Sequence, residues 1–159
     1  MAINEIYLAG GVFSLAERFH NAKLGAILAE LYRYKVILPQ KRATLFMKDG
    51  VLLHEDIAED CLLQCVGSKR IFVGCIDGPD ADSGTAFECR EAVVKTGRAI
   101  VYRTDIRTAP EKELGMNLMF RAKGVKVIYL PCYAASLGEL TAFYRTLASR
   151  INTKIKTFA

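Results

Sequence analysis

With 159 residues, 52% of them hydrophobic and 25% charged, and a net charge of +5, the chain has the composition of one ordinary globular domain (1–159), long enough to remove roughly 70% of its unfolded surface from water. No apolar stretch approaches the ~18 residues of a membrane span, and the N-terminus lacks the basic-then-apolar order of a signal peptide; the expectation is a cytoplasmic protein with no membrane partner. Five cysteines, Cys61, Cys65, Cys75, Cys89 and Cys132, make an odd count that fits buried reduced thiols better than a disulfide framework.

Five short runs rich in β-branched residues alternate with helix-like stretches, the rhythm of βαβ units. They are Ile6 to Ala9, Val36 to Leu38, Ile71 to Ile76, Ala99 to Tyr102, and Val125 to Leu130. Most are almost continuously apolar, as parallel strands covered on both faces should be. The first helix opens with a capping box, Ser14-Leu15-Ala16-Glu17, and presents Leu24, Leu28 and Leu31 inward. Pro39 to His54 is a long connection that fits no regular element, either a ligand-facing loop or a disordered excursion. A second helix is expected over Glu55 to Val66, with Ile57, Cys61 and Leu62 or Cys65 inward and Gly67 ending it. A third runs from Ser83 to a stop at Gly97. Thr104 to Glu113 is a second polar connection, and a short fourth helix is expected between Glu111 and Arg121. The last helix opens with the capping box Ser136-Leu137-Gly138-Glu139 and buries Leu140, Phe143, Leu147 and Ile151. No internal repeat is present. Arg145, Arg150, Lys154 and Lys156 thicken the charge toward the C-terminus. With no aromatic residues alternating among them, they read as a solvated face rather than a surface for polymeric nucleic acid.

The chemistry concentrates after the third strand, in Asp77-Gly78-Pro79-Asp80-Ala81-Asp82-Ser83-Gly84-Thr85-Ala86-Phe87-Glu88. In an open α/β sheet, ligands bind beyond the carboxyl ends of the strands, where this run must lie. Asp-Gly-Pro-Asp lets the chain turn away from the sheet, and Ser83-Gly84 lets a ligand approach the backbone closely. Asp82 or Ser83 can cap the following helix. Glu88 lies about a turn and a half in, where the helix dipole still favours its ionised form. Among several crowded acids, like-charge repulsion should keep at least one protonated near neutrality. One carboxylate can then attack while another gives a proton, the division of labour that breaks a glycosidic bond. A plainer alternative stands beside this one. On a helical wheel Glu88 shares the side of Glu91 and Lys95, opposite Ala86, Cys89 and Val93, and so reads as a surface glutamate. The run matches neither the 12-residue calcium loop nor a phosphate loop, and neither His20 nor His54 stands at ligand spacing from the Cys61/Cys65 pair; no metal and no organic cofactor is expected.

Three separated blocks carry a family resemblance: Ile6-Tyr7-Leu8-Ala9-Gly10 with Phe13-Ser14-Leu15-Ala16-Glu17-Arg18, then Asp82 to Glu88, then Met116-Asn117-Leu118-Met119. In that order they resemble the nucleoside 2-deoxyribosyltransferase family. The resemblance implies a three-layer α/β sandwich with a five-stranded parallel sheet of flavodoxin-like order. It implies transfer of 2-deoxyribose from a deoxynucleoside to a free nucleobase, in nucleoside salvage, through a covalent sugar–glutamate intermediate. Glu88 matches the nucleophile, Tyr7 the tyrosine that positions it, and Asp82 the aspartate on the sugar side. Asp60 matches the aspartate that faces the base and helps protonate it. Asn117 matches an asparagine that reaches a neighbouring subunit's site, which implies a homo-oligomer with shared sites. Gly10, Ser83 and Gly84 are expected along the substrate, and Asp77 sits where the base could be contacted. The alternatives are an N-glycoside hydrolase of deoxynucleosides or their 5′-monophosphates, and a non-catalytic nucleotide-binding domain; the intact second block speaks against the latter.

Overall fold

The computed structural model describes residues 2–107 and 116–158. In chain order the elements are β1 (Glu5–Ala9), α1 (Leu15–Tyr32), β2 (Lys35–Ile37), α2 (Pro39–Arg42), a 3-10 turn (Ala43–Phe46), β3 (Met47–Lys48), β4 (Val51–Leu52), α3 (His54–Gln64), β5 (Arg70–Cys75), α4 (Ser83–Thr96), β6 (Ala99–Arg103), a 3-10 turn (Leu118–Arg121), β7 (Val125–Tyr129) and α5 (Leu137–Lys156). Five of the strands form one parallel sheet in the order β2-β1-β5-β6-β7, with β3 and β4 paired separately. The fold is a flavodoxin-like α/β sandwich: the parallel sheet is the one that the alternating apolar runs predict, and its strand order is the one that the family resemblance implies.

Strand alternation sorts the side chains into two cores. Ile6, Leu8, Ile71, Val73, Ile100 and Tyr102 meet Leu24, Ile27 and Leu28 of α1 and Leu147, Ala148, Ile151 and Ile155 of α5. Tyr7, Ala9, Phe72 and Val101 point the other way, against Cys65, Cys89, Ala92 and Phe120. Each fully buried aliphatic or aromatic side chain contributes about 1.5–3 kcal/mol, so both layers hold the sheet firmly. The chain leaves β1 toward β2, then crosses back over β1 to β5. The carboxyl ends of β1 and β5 therefore flank the switch point of the sheet.

Both capping boxes form: Ser14 Oγ accepts from the Glu17 amide at 3.2 Å, and Ser136 Oγ does the same for Glu139 at 3.2 Å. Helix α4 begins at Ser83 and stops at Gly97, whose φ of 72° closes it. Other expectations need correction. Leu31 is 39% exposed because the buried stripe of α1 is Leu24, Ile27 and Leu28 and its last turn overhangs the sheet, where Tyr32 and Tyr34 cover the core edge. Leu140 is 36% exposed and Phe143 only partly buried, since the first turns of α5 run past the strand ends. Helix α3 starts at His54 and ends at Gln64, capped by Cys65 rather than stopped by Gly67; its one buried residue is Asp60, with Ile57, Cys61 and Leu62 half-buried. Pro39 to His54 is neither a bare loop nor disordered. It holds α2, a 3-10 turn and the β3–β4 hairpin, whose Asp49 (φ 51°) and Gly50 (φ 81°) make a two-residue left-handed turn. Of the connection from Thr104, residues 104–107 are described. The helix expected over Glu111 to Arg121 is a 3-10 turn at Leu118–Arg121, residues 111–115 lying outside the described part.

Candidate active site

Strand β1 delivers Tyr7 to the α3/α4 side of the sheet, where its ring stacks on Phe72 and its body is fully buried. Its hydroxyl donates to Glu88 Oε1 at 2.8 Å. Glu88 is thus not the surface residue that amphipathicity suggests. The buried stripe of α4 is Thr85, Cys89 and Ala92, and Glu88 lies three residues after Thr85 and four before Ala92, on the flank of that stripe. Burial lifts the Glu88 carboxyl to about 7, opposed by hydrogen bonds from Tyr7 and Cys61 and aided last by the charge of Asp82. The cause is therefore chiefly desolvation, not the like-charge repulsion expected of the acidic run. Burial, and then the Glu88 charge, hold the Tyr7 hydroxyl far above its ordinary range, so it stays a donor.

Helix α3 supplies two neighbours. The Cys61 thiol lies in hydrogen-bonding reach of both Tyr7 and Glu88, and burial raises its pKa. Asp60, 9% exposed, is gripped from α2: Arg42 Nε donates to Oδ2 and Nη2 to Oδ1, each at 2.5 Å. That fork raises the pKa of Arg42 further, and its guanidinium also feels Cys61 and Tyr7. Tyr7, Glu88, Cys61, Asp60 and Arg42 thus form one polar cluster under the switch point.

The acidic run divides in the structure. Asp82 caps α4, its Oδ2 accepting from the Thr85 amide at 2.7 Å and hydroxyl at 2.9 Å. Asp77 ties the sheet ends together, accepting from the amides of Thr104 and Asp105 and the Thr104 hydroxyl. Gly78 (φ 107°) turns the chain there, its amide donating to Asp105 and its carbonyl accepting from Arg103, which is 3% exposed. Asp80 is exposed at the turn. Gly10 is buried where β1 ends, and an added Cβ would stand 3.1 Å from Asn21 Oδ1 and from Cys75 Cβ; a side chain there would crowd the crevice. Ser83 and Gly84 are exposed at the start of α4. Asn117 is exposed, and its Oδ1 accepts from the Met119 amide at 3.0 Å.

Two cavities open away from the cluster, and neither is lined by any of its five members. One of ≈ 680 Å³ brings Ser83 and Asn117 onto a common wall with Phe87 and Met119. The other, of ≈ 630 Å³, lies between α1 and α5 and is lined by Gly11, His20, Cys75, Asp77 and Tyr144. All five cysteines are free, and no helix among the described residues is long and apolar enough to cross a membrane. Arg42 and Cys61 are the members of the cluster to which sequence reasoning gave no place beside Glu88. A signal existed for the first: a carboxylate on the inward side of α3 must find a cationic partner.

No curated protein matches the chain. Among solved structures, a conserved protein from Enterococcus faecalis V583 is similar at 24% identity and a TM-score of 0.65, over 92% of this chain and 99% of that one. The 2-deoxyribosyltransferase from Bacillus psychrosaccharolyticus is similar at 18% identity and a TM-score of 0.53, over 86% of this chain and 90% of that one. At such identities these two establish a shared fold. The family described as nucleoside 2-deoxyribosyltransferase matches residues 6–119, a span that holds Tyr7, Asp60, Asp82, Glu88 and Asn117. On that match, over a fold of the same kind, the chain belongs to the nucleoside 2-deoxyribosyltransferase family.

Proposed function

We propose that the protein transfers 2-deoxyribose between nucleobases, in nucleoside salvage, with Glu88 as the nucleophile. The observation that carries this reading is the hydrogen bond from Tyr7 to Glu88 Oε1, which fixes a half-buried carboxylate at the switch point of the sheet. With Oε1 held, the other oxygen attacks C1′ of the sugar. The C1′–N bond breaks with its electron pair going to the base, and a covalent deoxyribosyl-glutamate forms. A second base attacks C1′ from the vacated side, restores the glutamate and yields a nucleoside of retained configuration. Two inversions at one carbon require this outcome.

Partial desolvation makes the carboxylate a stronger nucleophile, and the hydrogen bond from Tyr7 to Oε1 stabilises its negative charge again as it leaves C1′, which a reversible transfer needs. Asp82, fixed at the N-cap, stands on the sugar side, and Asp60 meets the base. In this reading Asn117 serves a second copy of the chain, so the working enzyme is a homo-oligomer. Neither a metal nor an organic cofactor takes part.

Incubation with a deoxynucleoside and an excess of a second free base, followed by separation of the products, tests the reading. A new deoxynucleoside supports transfer. Free deoxyribose alone replaces transfer with hydrolysis, and neither product overturns both.

A further inference from the structure

Strand β6 is apolar or aromatic up to its last residue, Arg103, which is 3% exposed and so places a guanidinium inside the protein. Asp105 Oδ2 lies 3.7 Å from Nη2, too far for a hydrogen bond. The donors go instead to main-chain carbonyls: Nη1 to those of Ile76 and Gly78, each at 2.9 Å, and Nη2 to that of Arg107 at 3.1 Å, while Nε has no partner among the described residues. A buried cation with one N–H unpaired is a poor way to fill space, since an apolar side chain of similar volume often serves stability as well or better. What an apolar side chain cannot do is fix three carbonyls of two loops. The sheet holds β5 as far as Ile76, whose amide donates to the Tyr102 carbonyl at 2.9 Å. Beyond it the chain is gripped in both directions: Asp77 accepts from Thr104 and Asp105, Asp105 accepts from the Gly78 amide at 3.0 Å, and Arg103 holds the Gly78 carbonyl. A fork from Arg107 keeps the Asp105 carboxyl well below the ordinary carboxylate range, so the acceptor that faces Gly78 stays charged. Asp82 stands four residues after Gly78, and Arg103 shares a small cavity of ≈ 10 Å³ with Pro79, Asp80 and Ala81, the residues between them.

We propose that Arg103 is a positioning residue: lying under the turn from Asp77 to Ala81, it holds Asp82 at the height where that carboxylate meets the sugar. The inference rests on the transferase reading above, which gives Asp82 the sugar side, and adds to it a residue that touches neither sugar nor base. Support passes along the turn. Arg103 and Asp105 fix Gly78, and Pro79 removes one backbone freedom from the residues that follow. At the far end Asp82 Oδ2 is locked to α4 through the Thr85 amide at 2.7 Å, which leaves Oδ1 for the sugar. With both ends held, the Asp82 carboxylate keeps one position relative to Glu88, six residues further along. Released at Gly78, the turn can swing, and α4 loses its cap for part of the time. A misplacement of about 1 Å can lower a rate about 100-fold, so binding geometry is what such a swing degrades. A lysine cannot reproduce the hold, since one ammonium does not span the carbonyls of Ile76, Gly78 and Arg107 as a planar guanidinium does.

The first test is a pair of double-substitution cycles in the transfer assay. Arg103→Met alone should lower kcat/KM about 30-fold; added to Asp82→Asn it should lower it less than about threefold further, whereas added to Tyr7→Phe it should act with its full factor. An arginine that merely supports the fold loosens the whole site and couples equally to both. Equal coupling, or full additivity with Asp82→Asn, overturns the proposal. Should Arg103→Met fail to fold, Arg103→Lys takes its place, with a loss of about 3- to 10-fold and the same unequal coupling. The second readout needs no activity. In amide hydrogen exchange the same variant should speed exchange at Gly78 and at Thr85, whose amide Asp82 caps, by about tenfold or more, and leave Ala92 in the body of α4 as in the unmodified protein. Thr85 exchange that does not change overturns the proposal as well. An unmodified protein that transfers nothing removes the transferase reading, and Thr85 exchange then decides by itself whether Arg103 holds Asp82 in place.

Discussion

The two faces of the sheet each bury a polar cluster, and the contrast between them separates a site from a strut. On the α1/α5 face, His20 sits between two tyrosines, its Nε2 2.8 Å from the Tyr102 hydroxyl and its Nδ1 3.0 Å from that of Tyr144. Burial lowers the pKa of His20, so the imidazole is neutral and its two nitrogens find one donor and one acceptor. That cluster carries no charge and is internally satisfied. On the α3/α4 face a carboxylate with a pKa of about 7 lies beside a fixed ion pair. Polarity and burial are common to both; what differs is that the second cluster holds a carboxyl whose charge can change near neutral pH, beside a fixed ion pair.

The largest expected effect breaks the comparison outright. Glu88→Ala should cut transfer about 10,000-fold, whereas His20→Phe should leave kcat/KM within about threefold. Equal losses at both positions would erase the distinction drawn here. The next effect is on stability. The Glu88 carboxyl rises from 4.5 to about 7 in the fold, so the native protein keeps a proton that the unfolded chain gives up within that window. Stability therefore falls as pH rises from 4.5 through about 7 and stays lower above. Glu88→Gln should stabilise the protein by about 2–3 kcal/mol at pH 8 and by almost nothing at pH 4, read from urea midpoints at the two pH values.

Tyr7→Phe sharpens the picture on the same face. Loss of the donor should lower kcat about 10- to 30-fold and move the acidic limb of kcat/KM upward, because the Tyr7 hydrogen bond holds the Glu88 pKa down. An acidic limb that moves downward would mean that Tyr7 does not donate to Glu88. The smallest effect belongs to the strut: Tyr102→Phe leaves His20 Nε2 without its partner and should cost about 1–2 kcal/mol in denaturant titration, with kcat unchanged.

Much of this architecture is legible in the amino-acid order. Ile6 to Ala9 and Ile71 to Ile76 are apolar throughout, and a run with no polar alternation must be covered on both faces. The capping serines and Gly97 mark helix ends through bonds only a few residues long. The failures arise where distant contacts decide. Leu31 and Leu140 follow helical spacing faithfully, but whether a helix turn lies over the sheet or past its edge is set by the sheet's width. Pro39 to His54 looks irregular because its elements are two to four residues long, too short for periodicity to register. In the site, the acidic run announces its location, but ranking its carboxylates needs partners from elsewhere: Tyr7 for Glu88, and Thr104 for Asp77. Arg42 and Asp60 lie 18 residues apart on different elements, and no spacing rule joins them.

The Tyr7–Glu88 hydrogen bond spans 81 positions of the chain and joins a central strand to a helix that follows the third strand of the sheet. An emerging or partly unfolded chain therefore holds a glutamate of ordinary solution acidity, with no fixed neighbour and no shelter from water. The reactive carboxylate comes into being only when β1 has been enclosed by both β2 and β5. No half of the chain, expressed alone, contains both partners, so the nucleophile cannot act before the sheet that confines it is complete.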